Sequence, residues 1–496
     1  MKLKMPQIVL ILIGALVLGF VGAYAGVQLG DSEEQENSNE NTEEIANQDE
    51  NHTEDVTENE QVDEIPDYMT KVVQAFHLIK QNYLEDVEDQ QLIEGAIQGM
   101  LTTLGDPYSS YMDVEVMEQF NEQIESSFEG IGAEVSMMNG AVTIVAPIKD
   151  SPAEKEGLRP NDQVLEVDGE SLEGLDLNEA VAKIRGEKGS EVVLTILRPG
   201  SSEPFEVTIV RDTIPLETIY AEMKSENGKN TGIIEITNFS ETTSTDFNTE
   251  LERLESEGMD GLVIDVRGNP GGLLSAVEEI LMNFVPSDVP YVQIEDPNGN
   301  RSPYFSKLEE KKDYPITVLI NEGSASASEI LAVAMKEIGY DVVGMTTFGK
   351  GTVQQAVPLG DGSSIKLTYY KWLSPEGNWI HETGVEPTVE VDQPEYFYTN
   401  PINLEDETLT LDQSDSKIAN IQKMLDGIGY NPGRLDGYFN QETMDAVKAF
   451  QQDHDISVTG EIDKQTVGLI EATLIERIRS GEDDQQLERA LEVLYE

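Results

Sequence analysis

The 496-residue chain contains no cysteine and four histidines, His52, His77, His381 and His454. Thiolate nucleophiles, disulfides and cysteine-ligated zinc are therefore excluded, and the lack of an HExxH pattern argues against a histidine zinc site. No metal or cofactor is expected. The 96 Asp and Glu make any catalytic carboxylate pair impossible to single out, and His381 is the one histidine of the central residues. A hydrolase built from this chain is left with a nucleophile paired with lysine. Three segments offer that chemistry. Residues 321–330, NEGSASASEI, follow an apolar run and open a helix; unpaired N–H groups at a helix start can stabilise an oxyanion. Spacing alone does not choose among Ser324, Ser326 and Ser328, and a Ser-rich helix cap is the plainer alternative. Residues 347–354, TFGKGTVQ, set Lys350 between two glycines. As a base it must be neutral, which requires burial, and Gln354 can orient it; a solvated turn lysine is the alternative. Residues 265–272, DVRGNPGG, lie between a strand and a helix, where glycines bring backbone N–H groups to a substrate carbonyl. A phosphate loop is disfavoured because GxxxxGK[ST] is missing.

The elements that must hold these segments can be read from periodicity. Residues 213–395 alternate strand candidates (231–236, 261–266, 316–320) with helix candidates (273–284, 328–338), giving an α/β core. Residues 66–115 have helical spacing and end in the turn-rich GDPYSSY. Residues 116–212 are β-rich and contain Gly130-Ile131-Gly132, then SPAEKEGLRPNDQVLEVDG, then a helix over 177–184. This order resembles a PDZ domain, in which a peptide adds as an extra strand and loop N–H groups, here those of Gly130, Ile131 and Gly132, hold its terminal carboxylate. Arg185 is the candidate for sensing the bound peptide, since a guanidinium pairs with a carboxylate; a surface turn arginine is the alternative. Residues 414–478 repeat at a 23-residue offset, LDGYFNQET against VTGEIDKQT, and resemble the three-helix peptidoglycan-binding domain of cell-wall enzymes.

DVRGNPGG, GSASASE and FGKGTVQ, in that order after a PDZ-like segment, resemble the carboxy-terminal processing peptidases, with GDPYSSY and YYKWLSPEGNWIHETGVEPTVEV as flanking matches. The resemblance implies a serine endopeptidase with Ser326 as nucleophile, Lys350 as base and Gln354 as third member. It also implies oxyanion donors at Ala327 and at Gly271 or Gly272. The segment between Ser326 and Lys350 is one residue short near Gly339-Tyr340-Asp341, which a loop is expected to absorb, and IHETGVEPT is a loose version of the downstream motif. The implied function is processing of proteins near C-termini bound by the PDZ domain; a catalytically silent PDZ scaffold and a peptidoglycan-cleaving enzyme are the alternatives. The family further implies homodimers through terminal segments.

The overall expectation is a multidomain α+β protein: membrane anchor or signal (1–30), acidic disordered linker (31–65), helical segment (66–115), PDZ domain (116–212), Ser-Lys protease domain (213–395), linker (396–413), three-helix peptidoglycan-binding domain (414–478) and acidic tail (479–496). Residues 8–29 carry no charge and as a helix span about 33 Å, enough for a bilayer core. Lys2 and Lys4 precede this run, which places the remainder outside the cytoplasm. An A-x-A match at 23–25 offers a cleaved signal instead, but the apolar run continues past it and favours an anchor. The net charge is 32 − 96 = −64, which excludes nucleic acid as a partner. The linker supplies only 15 of these negative charges, leaving −49 on 461 residues. Acidity spread over folded domains fits an exported surface adapted to salt or alkali.

Overall fold

The computed structural model describes residues 67–138, 140–201, 203–404 and 407–496. The expected anchor (1–30) and acidic linker (31–65) lie outside the described residues. No helix among the described residues is long and apolar enough to cross a membrane. The chain divides into two compact units, residues 1–93 and 94–496. In the first, helix α1 (Thr70–Asn82) leads toward helix α2 (Asp89–Thr102), and Lys80 pairs with Asp89 at 2.7 Å. The helical expectation for 66–115 holds to residue 102. Beyond it, GDPYSSY runs into a short strand, β1 (Ser110–Met112), because its backbone groups find partners on a distant strand of the core.

Helix α3 (Val114–Glu125), N-capped by Asp113, occupies the start of the segment expected to be PDZ. Two strands, β2 (Ser127–Gly130) and β9 (Asp212–Pro215), pair antiparallel and frame the PDZ-like sheet. That sheet is formed by β3 (Ala133–Met138), β4 (Ala141–Pro147), β5 (Gln163–Val167), β6 (Glu170–Ser171), β7 (Glu191–Leu197) and β8 (Phe205–Val210). The spatial order is β3-β4-β5-β7-β8, so β3 is an edge strand. The short helix α4 (Pro152–Lys155) and helix α5 (Leu177–Ile184) complete it, α5 starting in a capping box of Asp176 and Glu179. Its core holds Val142, Ile144, Val164, Leu194, Ile196 and Ile209, which alternate along the strands.

The central residues, from 219 to 390, form a three-layer α/β unit with the C-terminal helix. Strands β10 (Ile219–Glu226), β11 (Lys229–Ile236), β12 (Gly261–Asp265), β15 (Ile316–Ile320), β16 (Asp341–Gly344) and β19 (Val389–Glu390) form one sheet in that order, parallel except for β10. Helices α6 (Thr243–Ser256), α7 (Leu274–Leu281) and α8 (Ala327–Glu337) contribute to the core of one face with Ile234, Leu262, Ile264, Val318 and Val342. Side chains alternate across a strand, so Ile233, Val263, Leu319 and Val343 emerge on the other face. A second sheet contains β1, β13 (Pro290–Glu295), β14 (Arg301–Phe305), β17 (Thr352–Pro358) and β18 (Ser364–Leu373).

Residues 416–480 form three helices, α9 (Ser416–Gly427), α10 (Gln441–Asp453) and α11 (Lys464–Ser480). The internal repeat has a physical basis. Buried Gln422 accepts from Gly437 N–H and donates to Thr443, while buried Gln451 accepts from Gly460 N–H and donates to Thr466. Residues 479–496, expected to be an acidic tail, end instead in helix α12 (Gln485–Leu494). Its charges lie on one side only; Ala490 and Leu494 pack on Ile233, Val263, Leu319 and Val343, covering the sheet face left open by α6–α8.

Candidate active site

The turn between β15 and α8 gives the three serines different surroundings. The hydroxyl of Ser324 donates to Val266 O (2.8 Å) and that of Ser328 to Asn269 O (2.9 Å), and both residues are fully buried. Ser326 is only partly buried and sits at the entry to α8 with φ 55° and ψ −111°. A non-glycine residue in that region is strained and needs surrounding contacts to hold it. The contacts here come from Glu329, whose Oε2 accepts from Ser326 N–H (2.8 Å), while Glu329 N–H donates back to Ser326 O (2.9 Å).

The DVRGNPGG turn lies against this entry. Ala325 N–H donates to Asn269 O (3.0 Å), and Asn269 reaches Ile236 O with its amide N–H (2.7 Å). A Cβ on Gly271 would stand 2.7 Å from Ser326 Cβ and 3.0 Å from Ala327 N; on Gly272 it would overlap the Phe239 carbonyl oxygen. Only glycine permits this approach. Gly271 N–H is taken by Asn269 Oδ1 (2.8 Å), whereas Gly272 is exposed and its N–H has no partner among the described residues. Ala327 is the first residue of α8, where helix N–H groups lack intrahelical partners.

Lys350 is carried by the loop before β17. Burial pushes its ammonium pKa below the ordinary lysine value, and the like charge of Lys366 adds to this; Glu329 and Asp106 act in the opposite direction. Nζ lies 5.3 Å from the centroid of the Tyr108 ring. Among the described residues no hydrogen bond joins Nζ to Ser326 or Gln354. The Gln354 amide donates to Thr352 Oγ1 (2.9 Å) and Thr368 Oγ1 (3.1 Å) instead. Near 339–341 the chain passes from α8 to β16 through a tight turn in which Gly339 has φ 94°.

In the PDZ-like sheet, Gly130 ends β2, Ile131 is buried, and Gly132 has φ 74° with no room for a Cβ beside Ser151 and Ile214. These three residues enter edge strand β3. Arg185 caps the end of α5, and its Nη1 donates to both carboxylate oxygens of Glu122 of α3 (2.9 and 2.7 Å), its guanidinium lying over the Phe128 ring at 4.9 Å.

Residues 230–391 match the model for peptidase family S41, residues 143–198 a PDZ domain, residues 414–470 a peptidoglycan binding domain, and residues 16–116 the N-terminal domain of the activating protease CtpB. The chain is 48% identical over 484 residues to the carboxy-terminal processing protease CtpB of Bacillus subtilis, covering 97% of each chain. The chain belongs to the S41 carboxy-terminal processing proteases. The carboxy-terminal processing protease CtpA of the same organism is 40% identical over 425 residues, 86% of this chain and 90% of that one. Among solved structures, the photosystem II D1 C-terminal processing protease matches at 26% identity and a TM-score of 0.40, over 66% of this chain and 94% of that one.

This protease is thus a serine-type C-terminal processing peptidase, with a PDZ domain and a C-terminal peptidoglycan-binding domain. Sequence reasoning missed three of its supports. Glu329 is fully buried and, besides Ser326 N–H, accepts from Thr347 Oγ1 (2.6 Å), Gly349 N–H (2.7 Å) and Lys350 N–H (2.8 Å). One carboxylate therefore ties the serine turn to the lysine loop. Its signal was visible as the S-x-x-E spacing of a capping box. Tyr108 underlies Lys350 because the GDPYSSY loop is closed by Asp106 on Tyr108 N–H and Ser109, and Ser109 accepts from Thr368 N–H. The chain's two tryptophans, Trp372 and Trp379, donate to the successive carbonyls of Lys350 and Gly351 (2.9 and 2.7 Å). No spacing rule joins those four residues.

Proposed function

We propose that Ser326 is the nucleophile and Lys350 the general base of a peptide-hydrolysing site. The observation that carries this is the shared Glu329 clamp, which sets the least buried of the three serines beside a lysine loop whose ammonium is destabilised by burial. Neutral Lys350 takes the Oγ proton as Ser326 attacks the scissile carbonyl carbon. The C–O bond forms and the carbonyl oxygen becomes an oxyanion, facing the N–H groups of Ala327 and Gly272; Gly271 serves by its closeness, its N–H being held by Asn269. Collapse breaks the C–N bond, and the lysine ammonium gives its proton to the departing amine. Water then cleaves the acyl-enzyme, with Lys350 again as base. Gln354 orients Lys350 once Nζ leaves Tyr108.

The PDZ domain receives a substrate's free C-terminus along the edge of β3, with the N–H groups at Gly130–Gly132 around the carboxylate. Arg185, released from Glu122, reads that occupancy. The chain is anchored by residues 8–29, with its catalytic part extracytoplasmic, and residues 414–478 hold it to peptidoglycan; association as a homodimer accompanies this. Purified ectodomain with an unfolded, apolar-tailed protein tests the core of the reading. Cleavage by the native sequence and none by Ser326→Ala is the expected result; equal cleavage by both sinks it.

A further inference from the structure

The peptidoglycan-binding segment is not appended to the protease but inserted in it. The chain leaves the catalytic sheet after β19, builds α9–α11, and returns as α12 to cover the open sheet face. Its two ends meet: Gln393 Nε2 donates to Asp484 Oδ1 (2.6 Å), and Gln485 N–H donates to Gln393 Oε1 (3.2 Å). The start of the returning helix is keyed to the catalytic half by a largely buried arginine. Arg267, in the DVRGNPGG turn, holds Asp484 through both terminal nitrogens (2.8 Å each) and Asp265 through Nε and Nη2. Gln486 adds its oxygen to Arg267 Nη1 (3.2 Å) and fixes its own amide on Val391 O (2.8 Å). All of these groups are largely buried, where a two-pronged carboxylate pair fixes direction as well as distance. The turn thus has two supports. Asn269 ties it to the serine entry and Arg267 to the returning helix, and between them and α7 stand Gly271 and Gly272.

We propose that Asp484, 158 residues after Ser326 in sequence, is a positioning residue for the hydrolysis: through Arg267 it sets the turn that presents Gly272 N–H to the oxyanion. The proposal rests on the oxyanion role given to that turn. It makes the C-terminal helix part of the catalytic unit and not a trailing segment. A misplaced oxyanion donor is felt in the transition state far more than in substrate binding.

The test uses the full ectodomain and two ligands, a peptide boronic acid that forms a tetrahedral adduct on the nucleophile and a peptide with a free apolar C-terminus. Asp484→Asn keeps the shape and the N-cap to Leu487 N–H but removes the charge. It is expected to lower kcat about tenfold with KM within about twofold, and to weaken boronate binding by a similar factor, with C-terminal peptide binding unchanged. Arg267→Lys, which keeps the charge but not the fork, is expected to do the same, and Asp484→Asn on that background is expected to add nothing. Unchanged kcat and boronate affinity in a folded Asp484→Asn overturn the proposal, as does an additive loss in the double variant. Should Asp484→Asn fail to fold, native kcat in Arg267→Lys overturns it. Failure of the underlying site reading looks different: the native ectodomain would then bind the boronate no better than Ser326→Ala.

Discussion

At the scale of single residues, the site is organised around a partly buried lysine and a fully buried carboxylate. Burial lowers the Lys350 pKa, so its neutral form is present at lower pH than for a solvated lysine. As the proposed base, Lys350 acts when deprotonated; activity is therefore expected to fall as pH drops through that pKa and to level off above it. A kcat profile over pH 6–10 checks this, with the midpoint expected below the ordinary lysine value of about 10.4. Glu329 opposes that shift with its charge while its oxygens hold the loop. In Glu329→Gln one oxygen becomes an N–H₂ facing donors. The expected outcome is a loss of about 1–3 kcal/mol in stability, a fall in kcat, and a pH midpoint moved further down, because the carboxylate that favours the ammonium is gone. A midpoint that moves up, measured on folded protein, contradicts this account.

At the scale of elements, the decisive feature is close approach between loops. The turn after β12 passes over Phe239 so tightly that Gly272→Ala has no room, and φ 143° there is unsuited to any other residue. Gly272→Ala is expected to lose at least about 100-fold in kcat, while C-terminal peptide binding at the PDZ sheet is retained; isothermal titration beside a cleavage assay separates the two. The pairing of Arg185 with Glu122 couples the PDZ sheet to α3. In the role proposed for Arg185, a peptide carboxylate and Glu122 compete for one guanidinium. Glu122→Ala is therefore expected to tighten C-terminal peptide binding a few-fold and Arg185→Ala to weaken it, both effects shrinking at high salt because the pair is partly exposed. Equal affinities for all three proteins would remove Arg185 from the role proposed for it.

At the scale of the whole molecule, the inserted wall-binding segment dictates how it can be removed. Stopping the chain before residue 414 also removes α12, which covers Ile233, Val263, Leu319 and Val343. Replacing residues 414–478 with a short flexible linker keeps α12. Pull-down on insoluble peptidoglycan is expected to vanish in that variant while cleavage of a soluble substrate persists; wall binding that survives the deletion refutes the targeting role. The net charge of −64 belongs to this scale as well. Spread over folded surfaces, it lowers stability by self-repulsion that salt screens, so activity is expected to hold as salt rises to molar levels. A sharp loss counts against a surface adapted to salt.

What the sequence determined by itself is local. Short apolar runs set β11, β12 and β15, the matching Gly turn and Thr of LDGYFNQET and VTGEIDKQT set the repeat, and the short motifs with their order pointed to the family. The scarcity of cysteine and histidine narrowed the base to lysine before any comparison. The resemblance points to Ser326, and tertiary structure supplies a physical difference that spacing lacks: packing against Val266 O and Asn269 O occupies the Ser324 and Ser328 hydroxyls. Tertiary structure alone turned an acidic C-terminal segment into a helix of the core, since its apolar residues have no meaning until an uncovered sheet face exists. It also joined Glu329 to Lys350, and Asp484 to Arg267. Such bonds depend on which loops meet at the ends of parallel strands, and no periodicity within a window of sequence encodes that meeting.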